Sequence, residues 1–328
     1  MLFFDFLCYY NGRLIYKFKS MSKILVTGGA GFIGSNLVDR LIAEGNQVII
    51  IDDLSSGLES YLNPQATFYK LDICSAELAA IFSKEKPDVV YHLAAQIEVP
   101  KSMSDPLHDA QINLTGGFNI LENCRLHNVK KIIFASTGGA IYGEATEIPT
   151  SESYPTYPLS FYGIHKLTFE KYLNCYCQAY GLDYTVLRFS NVYGPRQFKG
   201  GEAGVIAIFT DNAVKGQSRF QYGDGTQTRD FVFVGDVVSG LVAALSINHQ
   251  GEINISYGLE SSLLQVRQAL SIALGREIEI EEKPAKLGEQ KRSCLSNFKA
   301  KEILNWEPLV NLEEGIAKTV AWARSQND

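Results

Sequence analysis

The run Ile24-Leu25-Val26-Thr27-Gly28-Gly29-Ala30-Gly31-Phe32-Ile33-Gly34 constrains the fold of this chain more than any other stretch. Apolar and β-branched residues lead into a glycine-rich turn, and Ile33, Leu37 and Leu41 at i, i+4 spacing give the segment after it one apolar helical face. A strand, a tight turn and a helix in immediate succession form the repeating unit of a doubly wound sheet. Glycine lets the turn approach a ligand closely, and the helix N-terminus offers free N–H groups and a positive dipole end to an anion. Gly29, Gly31 and Gly34 fit one spacing of a dinucleotide turn; Thr27, Gly28, Gly31 and Gly34 fit another. Surface turns and bulges also use glycine, so it is the strand before and the helix after that point to a dinucleotide pyrophosphate.

The next strand narrows the cofactor. Gln47-Val48-Ile49-Ile50-Ile51 is β-branched without a break, as a parallel strand buried on both faces requires, and Asp52 closes it. An acid there, about 20 residues past the turn, is placed to accept both adenosine ribose hydroxyls and to repel a 2′-phosphate, which favours NAD over NADP. Asp53 reads as a helper in the following turn or a solvated carboxylate. Strands are expected at 66–71, 88–92, 131–135 and 184–188, and helices at 76–83, 106–127 and up to Tyr180. Leu93-Ala94-Ala95 ends the strand before it with residues small enough for a flat ligand to lie on the backbone. His92 at that strand end reads as a satisfied core residue in preference to a reactive one.

From Ser190 onward glycine is more frequent and the alternation less regular, with helices near 204–215, 235–246, 262–274 and 312–324 and a strand at 219–222. The expected architecture is α/β: a Rossmann-type doubly wound parallel sheet with a smaller C-terminal α/β substrate-binding lobe. The NAD-binding domain is expected over 21–190, and the lobe mainly over 191–328, with segments returning to the first domain. Residues 1–20 are aromatic and apolar up to Tyr10, with basic residues after that run instead of before it. That order is wrong for a signal peptide and the run too short for a membrane span, so it reads as a non-native or poorly ordered extension, with a weak membrane or partner contact as the alternative.

A net charge of −6 over 328 residues excludes a diffuse basic field, so no nucleic-acid partner is expected. The six cysteines lack metal-ligand spacing and read as reduced thiols of a cytoplasmic protein without a metal.

Chemistry enters with Tyr162-Gly163-Ile164-His165-Lys166. Tyr162 and Lys166 share one helix face, and an ammonium beside a phenol stabilises phenolate, bringing a group with an ordinary pKa near ~10 into range to take a proton from a sugar hydroxyl. Thr137 or Ser136, at the end of the strand over 131–135, can hold the same substrate oxygen. Tyr-x-x-x-Lys alone is a common accident; the glycine turn, the ribose acid and the hydroxyl strand end give it meaning.

With these residues in place the chain resembles the extended short-chain dehydrogenase/reductase family, most closely the UDP-hexose 4-epimerases, from Met21 to the end. The resemblance rests on Thr27-Gly28-x-x-Gly31-x-x-Gly34, Leu71-Asp72-Ile73, His92-Leu93-Ala94-Ala95, Ala135 to Gly143, Tyr162-x-x-x-Lys166, Asn191-Val192-Tyr193-Gly194-Pro195 and Thr228-Arg229-Asp230-Phe231-Val232. It implies that Asp72 meets the adenine, Ala94 the cofactor backbone, and Lys166 both the nicotinamide ribose and Tyr162. Phe32, Ile33, Asp53, Ile73, Leu93, Ala95 and Asn113 complete the implied cofactor set. Asn191 and Arg229 are implied to hold the substrate diphosphate and Glu289 the uridine ribose. A guanidinium suits phosphate by its fork geometry, while an ion pair of Arg229 with Asp230 or Asp236 is the plainer alternative.

The same resemblance implies which reaction is run. Dehydratases of the family carry an acid/base pair beside the threonine, where this chain has Gly138-Gly139, leaving oxidation and re-reduction at C4. Ser293 aligns with the sugar-pocket wall, where a tyrosine excludes N-acetyl groups in stricter relatives; serine leaves room. Lys286 stands where an arginine often meets phosphate, and Ser296 where an aspartate is usual. A tightly bound, recycled NAD and a homodimer built on the helices at 106–127 and 161–180 are also implied, with Leu114, Phe118 and Leu121 as part of an apolar face that could equally pack on the sheet. A dehydratase or reductase and a non-catalytic NAD-binding scaffold are the competing readings.

Overall fold

The computed structural model describes residues 21–197, 204–217, 220–278, 280–284 and 290–326, and the backbone of 7–10 and 13–16. Two strands, β1 (Leu7–Tyr10) and β2 (Arg13–Tyr16), pair antiparallel near the N-terminus. The reading of 1–20 as an extension otherwise lies outside the described residues.

The regular alternation in the first half builds β3 (Lys23–Thr27), β4 (Gln47–Asp52), β5 (Thr67–Lys70), β6 (Val89–His92), β7 (Lys131–Thr137) and β8 (Asp183–Phe189). Then come the short strands β9 (Asn191–Tyr193), β10 (Phe220–Tyr222), β11 (Thr228–Arg229), β12 (Phe231–Phe233), β13 (Glu252–Ile255), β14 (Ser261–Ser262) and β15 (Glu281–Lys283). Seven of them form one parallel sheet in the order β13-β8-β7-β6-β3-β4-β5. The side-chain period of two sorts each strand between two cores. Ile24 and Val26 of β3 and Ile50 of β4 face one side, with Leu37 and Leu41; Leu25, Ile49 and Ile51 face the other, with Phe82, Leu121 and Phe169. A strand buried on both faces has no polar side, which is why β4 is an unbroken apolar run.

The helices are α1 (Phe32–Ala43), α2 (Leu78–Glu85), α3 (Val99–Ser104), α4 (Pro106–Ala110), α5 (Gly117–Leu126), α6 (Gly138–Ile141), α7 (Phe161–Tyr180), α8 (Val205–Val214), α9 (Val234–Leu245), α10 (Leu263–Leu274), α11 (Phe298–Leu304) and α12 (Leu312–Ser325). The single helix expected over 106–127 is interrupted: Gln111–Gly116 is π-helical between α4 and α5. Glycine permits the close packing there, since a Cβ on Gly116 would come 2.7 Å from the Ile73 side chain and one on Gly117 2.5 Å from the Phe169 ring. Such widened turns recur at functional sites, and this one lines the cavity described below. Leu121 packs in the sheet-facing core, as the second of the two expectations for that stripe had it.

Beyond β8 the pairings are non-local. β9 runs parallel to β12, β10 to β15, and β11 antiparallel to β14, while β13 returns to the main sheet beside β8. Thr150, far upstream, makes a bridge to Leu295. Among the described residues no helix is long and apolar enough to cross a membrane.

Candidate functional site

The glycine turn joins β3 to α1 at the carboxyl edge of the sheet. Gly28 has φ +71°, and a Cβ on it would lie 2.8 Å from the Ala94 nitrogen; one on Gly34 would lie 2.0 Å from the Gly28 carbonyl oxygen. Gly31 caps α1 without a side-chain hydrogen bond, so among the described residues no capping side chain meets the first N–H groups there. Gly28, Gly31 and Gly34 thus line the turn, while Gly29 faces the Ile50 side chain.

Asp52 ties the turn to its neighbour strand. Its Oδ2 accepts from the Ala30 N–H at 2.9 Å and its Oδ1 from the Leu54 N–H at 2.9 Å. Burial pushes its carboxyl above the ordinary value against these two donors. Asp53 accepts from the Ser55 amide and hydroxyl, the turn role expected of it.

A cavity of about 560 Å³ opens over this edge. Gly28, Gly31, Phe32, Ile33, Gly34, Asp52 and Asp53 line one part of it, Asp72, Ile73, Leu93, Ala94 and Ala95 the middle, and Ser136, Tyr162 and Lys166 the far wall. Gln96, Glu98, Lys101, His108 and Gln111 also line it. They fall on the irregular stretch after β6, on α3 and α4 and on the π-turn, where no periodicity or motif marks them. Thr137, Asn113, Asn191, Arg229 and Ser293 do not line it, and Glu289 lies outside the described residues.

The catalytic candidates sit where α7 meets β7. Ser160 caps α7 by accepting from the Gly163 N–H at 3.1 Å, and Gly163 packs so close to α6 that a Cβ would lie 2.5 Å from the Ala140 carbonyl oxygen. Tyr162 and Lys166 follow on the face turned to the sheet, with the Lys166 Nζ 5.9 Å from the Tyr162 ring centroid. Lys166 is 4 % exposed; its Nζ donates to the Ala135 carbonyl at 2.9 Å, and burial pulls its ammonium down to about 8. Ser136 lines the cavity but gives its hydroxyl proton to Glu170 at 2.6 Å. Glu170 is held by Arg188 through Nε at 3.0 Å and Nη2 at 2.6 Å, both residues buried. His92 is a core residue, as expected. The Thr27 hydroxyl accepts from the Leu93 and Ala94 amides and so gives its own proton to His92 Nδ1, at 2.8 Å. Burial, with Lys166 adding to it, pushes His92 down to about 3.

On the C-terminal side one carboxylate organises the candidates. Asp230, fully buried, accepts from the Tyr257, Leu295 and Gly258 amides at 2.9, 3.1 and 3.2 Å and from the Ser190 hydroxyl at 3.2 Å. It thereby fixes the segments carrying Asn191 and Ser293. Asp236 accepts from the Val310 amide, so both acids named beside Arg229 hold backbone. Arg229 donates from Nη1 to the Thr228 carbonyl at 2.8 Å. Ser293 lines a second, small cavity with Gly138, Tyr142, Gly143 and Gln290, directly after the Ser136-Thr137 strand end. Among the described residues no group of three or more metal-ligating side chains is gathered, and the five described cysteines are free thiols.

A family model described as the NAD dependent epimerase/dehydratase family matches residues 24–257. The chain belongs to this family. It is 44 % identical over 311 residues to a UDP-glucose 4-epimerase of Mycolicibacterium smegmatis, covering 93 % of this chain and 99 % of that one. Its fold matches the crystal structure of the Thermotoga maritima UDP-glucose 4-epimerase with UDP-glucose at a TM-score of 0.91 and 45 % identity, over 93 % of this chain and 100 % of that one. The Thermus thermophilus UDP-glucose 4-epimerase in complex with NAD matches at 0.87 and 41 % identity, over 92 % and 99 %. The cofactor of this epimerase/dehydratase family member is NAD, and its residues fit the group. Gly28, Gly31 and Gly34 line the cavity beside the N-terminus of α1, whose cap makes no side-chain hydrogen bond, and Asp52 lines it at the end of the next strand.

Proposed function

We propose that this chain is a UDP-hexose 4-epimerase, interconverting UDP-glucose and UDP-galactose through a 4-keto sugar. One observation carries the reading: Tyr162, Lys166 and Ser136 line the same cavity as the glycine turn. Bound NAD supplies an acceptor for the C4 hydride and a donor that returns it within the turnover. Gly28, Gly31 and Gly34 with Asp52 hold the pyrophosphate and adenosine ribose, and Asp72 the adenine. Tyr162, as phenolate, takes the O4 proton and later gives it back; the Lys166 ammonium stabilises the phenolate. Thr137 or Ser136 holds the same oxygen, with Ser136 limited to accepting while its hydroxyl donates to Glu170. Asn191 and Arg229 grip the diphosphate and Glu289 the uridine ribose, so the sugar can turn between the two half-reactions.

The dehydratase reading is disfavoured by packing as well as by composition. A Cβ on Gly138 would lie 2.2 Å from the Leu295 Cδ1, so an acid at that position would have to displace Leu295 from its buried place. Ser293 on the wall leaves room for an N-acetyl group, so UDP-N-acetylglucosamine is accepted beside UDP-glucose. We assign a homodimer in the cytoplasm. Leu107 of α4, with Phe161, Ile164 and Tyr172 of α7, is apolar and exposed on the helices a partner would cover, and free thiols suit a reducing compartment.

Separation of the products from UDP-glucose tests the reading. UDP-galactose of equal mass is expected, and a 4-keto-6-deoxy product contradicts it. Tyr162→Phe is expected to lose on the order of 10²–10⁴-fold in kcat with NAD content unchanged; full retention of activity would overturn the assignment of the base.

A further inference from the structure

Asp230 holds the substrate side from within, and a different acid gathers its outer rim. Three segments meet there. β11 carries Thr228 and Arg229, and β14 pairs antiparallel with it, Thr228 opposite Ser262 and Arg229 opposite Ser261. The segment 290–293 joins them where the Thr228 N–H donates to the Lys291 carbonyl at 2.9 Å. Glu260 stands directly before β14 and takes bonds from both of the other segments. Its Oε1 accepts from the Thr228 hydroxyl and, at 2.9 Å, from Arg292 Nε; its Oε2 accepts from Arg292 Nη2. Both carboxylate oxygens are engaged, and the guanidinium meets them through the planar fork that fits a carboxylate. Hydrogen bonds from Arg292 hold the Glu260 carboxyl below its usual range against the opposing effect of burial, with Thr228 adding to them. The pair sits at the surface, the Arg292 side chain 61 % exposed and that of Glu260 22 %, so the core does not depend on it.

What these bonds hold is the footing of two substrate candidates. Arg229 follows Thr228 in the chain, and Ser293 follows Arg292. The segment of Ser293 also reaches the catalytic side. Arg292 and Ser293 line the small cavity with Gly138 and Tyr142, and Gln290 Nε2 donates to the Gly143 carbonyl at 3.1 Å. We propose that Glu260 is a positioning residue for substrate binding: with Arg292 it forms a clasp that fixes the segments of Arg229 and Ser293 at the separation a UDP-sugar needs. The inference rests on the reading of those two residues as substrate contacts. With the clasp open, ordering the two segments falls to the binding step and costs affinity. The groups that act at C4 lie on β7 and α7, so the loss belongs to binding and not to the chemical step.

Glu260→Gln isolates the ion pair, because an amide keeps the size of the side chain and can still accept from the Thr228 hydroxyl. Arg292→Gln removes the other half. Calorimetric titration of each holoenzyme with UDP reads binding without turnover, and initial rates give KM and kcat for UDP-glucose. Each single variant should raise the Kd for UDP and the KM about fivefold, the size expected of a partly exposed bidentate pair. NAD content, kcat and the unfolding midpoint should stay near wild type. The double variant should bind no more weakly than either single one, since each alone opens the same clasp. The proposal is overturned if Glu260→Gln leaves the Kd at the wild-type value. It is overturned as well if the two effects multiply in the double variant, as they would if Arg292 gripped the substrate by itself, or if Glu260→Gln does not fold, which would make the acid structural. A wild-type holoenzyme that binds no UDP would instead remove the substrate reading of Arg229 and Ser293, and the clasp with it.

Discussion

The two sides of the site are built by different means. Around the cofactor cavity the glycine turn, Asp52, Ala94, Ser136 and the Tyr162–Lys166 pair end a strand or open a helix of a regular β-α unit, and adjacent strand ends are joined by bonds such as Asp52 to Ala30 and Leu54, or Thr27 to Leu93 and Ala94. On the other side Asn191, Arg229 and Ser293 sit on strands of three residues or fewer and on connecting segments, gathered by Asp230 from Ser190, Tyr257, Gly258 and Leu295. A scaffold of local units can hold a cofactor through every cycle. A surface assembled from distant segments around one carboxylate is the place for substrate grip and specificity.

Breaking Asp230 should separate the two sides most sharply. Asp230→Ala strands one buried amide donor and two half-buried ones, and at about 1–3 kcal/mol for each buried unsatisfied group the loss of stability should be about 3 kcal/mol, read by denaturant unfolding. In the folded fraction KM for the UDP-sugar should rise while bound NAD stays; a parallel loss of NAD would erase the contrast.

A smaller effect comes from the cofactor side. His92 keeps its neutral form down to about pH 3 in the fold, whereas an unfolded chain takes up that proton near its ordinary value of about 6.5. Its folded pKa is depressed, so the unfolded state binds more protons below pH 6.5 and stability falls as the pH falls from there. The loss should be about 2 kcal/mol between pH 6.5 and 5 at about 1.4 kcal/mol per unit. His92→Asn, which can still accept from Thr27, should flatten that part of the pH–stability curve; an unchanged slope would place the acid sensitivity elsewhere. The smallest effect belongs to the wall. Ser293→Tyr should cut the N-acetyl/plain ratio of kcat/KM about tenfold, equivalent to ~1.4 kcal/mol, with NAD content and stability near wild type, and an unmoved ratio would take Ser293 out of specificity.

What could be read from the residues follows the same division. The strand-turn-helix at 24–37, the acid at 52 and the Tyr162–Lys166 pair are local patterns, and the cavity brings them together. β13 escaped because four residues, Glu252–Ile255, gain their identity only by pairing with β8. The π-turn at Gln111–Gly116 escaped because its apolar spacing is that of an α-helix, and the close approach of Ile73 and Phe169 to Gly116 and Gly117 is a contact between segments distant in sequence. Asp230 was visible only as a neighbour of Arg229, since nothing in Thr-Arg-Asp-Phe tells that its partners lie up to 65 positions away. Gly138 was legible as the absence of an acid, but not as the space that Leu295 fills.

The central claim is that hydride leaves C4 and returns to it inside one closed cofactor site. Purified holoenzyme, with no added NAD, given UDP-glucose carrying deuterium at C4 tests it most directly. UDP-galactose of the same mass that retains the deuterium through many turnovers is the result this account predicts. Deuterium lost to water, or turnover that stops after one equivalent unless NAD is supplied, would contradict it.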